Sequence, residues 1–140
     1  PYWDPYARGA IVGLTRGFGR AHLARATLES LAYQVADVCR AMEQDAGLPL
    51  RCLKVDGGAS ANSFLMQFQS DILDSRIRVP GVEELSGLGA AYAAGLGAGI
   101  YDESLFGRLP SIQYAPAMNP AERNEKLKGW KAAVEMVLKP

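Results

Sequence analysis

From Ala21 onward, Leu28, Leu31, Val35, Val38 and Met42 recur at alternating three- and four-residue spacings, the period of an α-helix with one apolar stripe. Gly47 can take the left-handed cap conformation and Pro49 forbids continuation, so this long helix is predicted to stop near Ala46. Leu50 to Val55 is a short run with apolar side chains at Cys52, Leu53 and Val55. It predicts a buried strand ending in the turn Asp56-Gly57-Gly58. A second helix follows at once, with Phe64, Leu65, Phe68, Ile72 and Leu73 as its core face. It ends before a short strand, Arg76 to Val79, which Pro80 terminates.

The flanks are less regular. Pro1 to Gly9 mixes proline, aromatics and Asp4, and Ala10 to Leu14 is a short apolar piece, read as a strand or extended segment before a loop. A third helix, about Gly87 to Tyr101, is rich in Gly and Ala. Each interior glycine costs about 1 kcal/mol of helix stability relative to alanine, so close packing against neighbours is expected as compensation. Asp102 to Met118 is expected to be an irregular connection. Asn119 then caps a last helix, with Pro120 in its first turn, Glu122 placed for a capping box, and Leu127, Trp130, Val134 and Val137 as its buried stripe. Strand and helix alternate through the middle of the chain. The fold class is therefore α/β, with at least two parallel strands joined by crossovers.

Composition narrows the function classes. The 140 residues are 49% hydrophobic and 21% charged, as for a globular domain, and fifteen Lys plus Arg balance fifteen Asp plus Glu. No long-range field gathers nucleic acid or an anionic membrane surface. No apolar run approaches the ~20 residues of a membrane span. Cys39 and Cys52 sit among apolar neighbours without metal-ligand spacing and are expected to be small buried hydrophobes in a reducing, cytoplasmic setting. The chain opens on Pro1 inside a structured-looking run, so a piece of a longer protein is expected.

The chemistry concentrates at Val55 to Asn62. Ligands of open α/β sheets bind outside the carboxyl ends of the strands, where Asp56-Gly57-Gly58 falls. Glycines there leave main-chain amides open to a bulky anion, and a helix starting near Ser60 or Ala61 would aim its N–H groups into the same space. Asn62 offers both a donor and an acceptor, suited to a base edge or a ribose. The plainer alternative is a corner in which the glycines turn the chain and Asn62 or Ser60 merely caps a helix. The turn is neither a phosphate-binding P-loop sequence nor a dinucleotide fingerprint. His22 reads as structural, near a helix start. The role of Asp56 stays open, and Asp102 and Glu103 read as solvent-facing. No catalytic or metal-ligating set stands out.

Three runs carry a resemblance. Gly9 to Leu14, the loop to His22-Leu23, and Ala26-Thr27-Leu28-Glu29 are similar, in residue type and spacing, to the C-terminal signature of the FGGY family of carbohydrate kinases. PYWDPYARG, VDGGASANSFLMQFQSD and GLGAAYAAG resemble the glycerol-phosphorylating members in particular. The resemblance implies an incomplete C-terminal domain of the actin-like, ribonuclease H-like ATPase fold over 1–140, the N-terminal substrate domain being absent. It further implies ATP or ADP as ligand, glycerol reached through the absent domain, Mg2+ held outside this chain, and a homo-oligomer.

By the family pattern Gly58 contacts the phosphate region through its backbone and Asn62 contacts the nucleotide, while Gly57 and Ala59 complete the turn. The departures are Phe18-Gly19, where relatives often read Thr-Asn, and Ser86-Gly87 in place of Thr-Ala. Neither touches Gly58 or Asn62. Two rival readings stand beside this one: a kinase for another sugar or polyol, and a non-catalytic actin-like nucleotide-binding module.

Overall fold

Helix α1, Arg20–Ala46, dominates the computed structural model, which describes residues 2, 4–82, 84–102, 104 and 109–138. Its two ends are set locally. At the start, the Gly19 amide donates to Nδ1 of His22 at 3.2 Å, and Phe18 stacks on the imidazole, giving His22 the structural role expected of it. At the end, Gly47 takes φ 64° and donates its N–H to the carbonyl of Glu43.

The chain continues as β1 (Cys52–Lys54), a 3-10 turn (Gly58–Ala61), α2 (Ser63–Leu73), β2 (Arg76–Pro80), α3 (Leu85–Gly97), β3 (Ser111–Tyr114) and α4 (Pro120–Leu138). The sheet order is β1-β2-β3. Strands β1 and β2 are parallel, with Leu53 opposite Ile77, and β3 returns antiparallel to β2, with Tyr114 opposite Ile77. The expected parallel pair with a helical crossover is therefore present, and a third strand extends it.

The core lies between the helices α1 and α2 and one face of the sheet. Ala32, Tyr33 and Ala36 of α1 meet Leu65, Met66, Phe68 and Ile72 of α2 and Ile77 and Val79 of β2. Tyr33 sits edge-on to Phe68 at 5.5 Å and stacks on Trp130 of α4 at 5.2 Å. The Trp130 indole N–H donates to Asp37 at 2.7 Å, so the ring is apolar inside and satisfied at its rim. Burial, and then the charge of Glu29, push the Tyr33 phenol up to about 12. The buried Asp71 carboxylate accepts from the amides of Ala117 and Met118 at 2.7 and 3.1 Å, tying the approach to α4 onto α2. Cys39 is buried and Cys52 half-buried, both as free thiols.

Four expectations need correction. The stripe Leu31, Val35, Val38 and Met42 is exposed, and the buried face of α1 is Ala32, Tyr33, Ala36 and Cys39. Small side chains win there because α1 lies close along α2. Ala10 to Leu14 forms no strand, since no strand among the described residues runs alongside it, and Ile11, Val12 and Leu14 are exposed. The connection read as irregular contains β3, whose hydrogen bonds come from β2, more than thirty residues back. Helix α3 is not pressed against neighbours: it buries only Gly95, against Tyr101, and a Cβ at Gly87, Gly89 or Gly97 would meet nothing within 4 Å. In α4 the expected stripe is half-buried, with Asn119 capping through the Ala121 amide at 2.8 Å and Glu122 turned toward Lys126 at 3.9 Å. Asp102 is exposed as expected, and Glu103 lies outside the described residues.

Candidate functional site

The turn that leaves β1 does so at its carboxyl end. Gly57 sits at φ 89°, ψ 171°, a region essentially closed to other residues, which lets the chain reverse within one residue. Gly58 to Ala61 then close as a 3-10 turn, held by the Ser60 amide and hydroxyl, which both donate to the Gly57 carbonyl, at 3.0 and 2.7 Å. The amides of Gly58 and Ala59 make no backbone hydrogen bond among the described residues. A Cβ on Gly58 would meet nothing within 4 Å. The position therefore presents its main chain to open space, as an amide that is to meet a bulky anion must.

That space is a cleft of about 540 Å³ between the turn and the ends of β2 and β3. Gly57, Gly58, Ser60 and Ala61 line one side, and Val79 to Val82, Ile112 and Tyr114 line much of the other. The apolar lining suits a flat ring system, and the glycine side suits an anion.

The structure moves two expected features. Helix α2 starts at Ser63, not near Ser60, and Asn62 is its cap: Oδ1 accepts from the Leu65 amide at 3.0 Å. With one lone pair of its oxygen engaged, Asn62 keeps both Nδ2 hydrogens, so its main capacity toward a ligand is as a donor. Neither Asn62 nor Ala59 lines the cleft wall itself, although both belong to the turn that forms it.

Asp56, left open by the sequence, faces elsewhere. It lines a separate cavity of about 310 Å³ with Lys54, Arg78 and Pro80. The glycine turn and the carboxylate next to it in sequence thus serve different spaces. Sequence reasoning missed the far wall of the cleft, because Ile112 and Tyr114 arrive on the unforeseen strand β3. Among the described residues no group of three or more His, Cys, Asp or Glu could hold a metal ion.

The profile of the C-terminal domain of the FGGY family of carbohydrate kinases matches residues 1–98. The chain belongs to this family. It is 54% identical over 138 residues to the glycerol kinase of Psychromonas ingrahamii and 53% identical over 141 residues to that of Escherichia coli, covering 96% and 99% of the chain. It spans only 27–28% of the length of these relatives.

Among solved structures, Plasmodium falciparum glycerol kinase with ADP superposes with a TM-score of 0.90 at 36% identity, over 100% of this chain and 29% of that one. Xylulose kinase from Lactobacillus acidophilus shares the fold at a TM-score of 0.76 and 24% identity, over 99% of this chain and 29% of its own. The fold is that of the actin-like ATPases, as expected from the family pattern.

Proposed function

We propose that this chain is the C-terminal, nucleotide-binding part of a glycerol kinase, with the substrate-reading N-terminal domain outside its 140 residues. The intact enzyme transfers the γ-phosphoryl group of ATP to a terminal hydroxyl of glycerol, giving glycerol 3-phosphate and ADP. The observation that carries the reading is the unobstructed main chain at Gly58, opening on the cleft in a chain 54% identical to glycerol kinases.

In this reading the Gly58 amide donates to the phosphate region and the Asn62 Nδ2 group donates to an acceptor on the nucleotide. Gly57 and Ala59 hold the turn in shape. Phosphoryl transfer needs a base, a nucleophile and charge compensation in line, and in this reading they come from glycerol and from the part of the enzyme outside this chain. Mg2+, expected for such a transfer, is assigned in this reading to the part of the enzyme outside this chain. A cytoplasmic homo-oligomer completes the proposal; no helix among the described residues is long and apolar enough to cross a membrane.

The decisive measurement uses the intact protein with Mg-ATP. Glycerol should be phosphorylated in preference to ketoses and aldonates, and the reverse preference would overturn the substrate assignment. Gly58→Val should weaken ATP binding by about tenfold or more while leaving glycerol binding nearly unchanged, because the added side chain meets only the ligand. Asn62→Asp keeps the capping oxygen and removes the donor, so it should weaken ATP by roughly 2–10-fold with no loss of thermal stability. Equal ATP affinity in both variants would remove the turn from the site.

A further inference from the structure

The peptide joining Gly57 to Gly58 carries an acceptor on one side and a donor on the other. A trans peptide is planar and points its C=O and N–H in opposite directions, so whatever fixes the Gly57 oxygen also fixes the Gly58 amide hydrogen. That amide is the one assigned to the nucleotide phosphates. Its direction decides whether an anion meets a donor.

The plane has little of its own to hold it. With a glycine on each side, no side chain hinders the paired rotation about Gly57 ψ and Gly58 φ, and a Cβ at either position would meet nothing within 4 Å. Rotated by half a turn, the same peptide would present its carbonyl oxygen to the anion. Attraction would become repulsion.

Ser60 supplies the missing restraint. Its amide donates to the Gly57 carbonyl at 3.0 Å, the ordinary closing bond of a 3-10 turn, and its hydroxyl donates to the same oxygen at 2.7 Å. The hydroxyl has a single hydrogen, and this bond engages it. At the other end of the turn the Asn62 amide donates to the Ala59 carbonyl at 3.2 Å through the backbone alone. The added side-chain bond falls on the one plane that carries the Gly58 amide.

We infer that Ser60 is a positioning residue for the phosphates of the nucleotide: its hydroxyl pins the Gly57 carbonyl inside the turn and so holds the Gly58 amide outward. The inference rests on the reading of this turn as the phosphate contact. Ser60 acts through Gly58 and not on the ligand. Its removal therefore weakens nucleotides that carry phosphate and spares the bare nucleoside.

The test is calorimetry of the intact protein with ADP and with adenosine. Ser60→Ala and Ser60→Val should each weaken ADP by about 2–10-fold, as for one lost hydrogen bond, and leave adenosine within about twofold. Ser60→Thr has nearly the shape of the valine variant and keeps the hydroxyl, so it should bind ADP within about twofold of the parent. The KM for ATP should follow the ADP constants, with the KM for glycerol unmoved. In a Gly58→Val background, Ser60→Ala should add less than about twofold, because the amide that it aims is already obstructed.

Equal losses for ADP and adenosine, or a threonine variant as weak as the valine one, would make Ser60 a merely structural residue and overturn the inference. Full additivity with Gly58→Val would overturn it as well, since the hydroxyl would then meet the nucleotide directly. Weakened ADP in Gly58→Val beside unaltered ADP in Ser60→Ala rejects the inference alone. Unaltered ADP in Gly58→Val rejects the phosphate reading of the turn beneath it.

Discussion

Helices α2 and α3 are similar in length, 11 and 13 residues, and opposite in circumstance. α3 is a nearly unbroken run of small and apolar side chains, yet only Gly95 is buried. α2 contains Gln67, Gln69, Ser70 and Asp71, and buries Gln69, Ser70 and Asp71 along with its hydrophobes. Each of these buried polar groups is satisfied: Gln69 donates to the Ala32 carbonyl at 3.1 Å, the Ser70 hydroxyl to the Ser75 carbonyl at 2.8 Å, and Asp71 accepts two amides. What makes a core element is a complete set of partners, and apolar composition without them leaves a surface.

The contrast can be broken most forcefully at Phe68. Its ring meets Tyr33 edge-on, Phe64 face-on at 6.0 Å, and the Lys126 ammonium at 5.7 Å. Phe68→Ala should cost about 3–5 kcal/mol in denaturant unfolding, a large share of the roughly 5–15 kcal/mol of an ordinary domain. A cost near zero would mean that α2 is no better packed than α3.

A second probe is alkaline titration. Because Tyr33 is held up to about 12 in the folded chain against an ordinary 10, the folded state binds this proton more tightly. Its contribution is complete below pH 10 and is lost as pH rises toward 12. Tyr33→Phe should flatten that part of the stability profile, and an unchanged profile would show that the phenol is freely hydrated.

The smallest effect belongs to α3. Gly89 is interior to the helix, and a methyl group added there would meet nothing within 4 Å. Gly89→Ala should therefore stabilise α3 by roughly 0.5–1 kcal/mol, read as slower local hydrogen exchange. Global unfolding should scarcely move, because α3 is not coupled to the core. A large global gain would contradict the separation of the two helices.

Much of this was legible from local signals. The end of α1 at Gly47, the strand leading to Asp56 and the Asn119 cap all follow from residues within a few positions of the feature, and the parallel pair follows from the strand-helix-strand order. The failures share a different cause. Strand β3 is four residues long and is defined by its pairing with β2, which no local pattern encodes. The buried face of α1 was misjudged because Ala32, Ala36 and Cys39 are chosen by how closely α2 approaches, while Leu31, Val35, Val38 and Met42 are left exposed. At the site, the glycine turn was readable and its division of labour was not. Only geometry separates Asp56 from the cleft, and only the cap engages one end of Asn62.

That cap links recognition to stiffness. The carboxamide of Asn62 is a single conjugated unit, with its oxygen on the Leu65 amide and no hydrogen bond from its nitrogen among the described residues. Any acceptor that draws on the Nδ2 hydrogens pushes electron density toward Oδ1 and strengthens the bond it already holds. Occupancy at the turn would thereby be felt as a firmer first turn of α2, and the Leu65 amide proton would serve as a built-in reporter of the ligand.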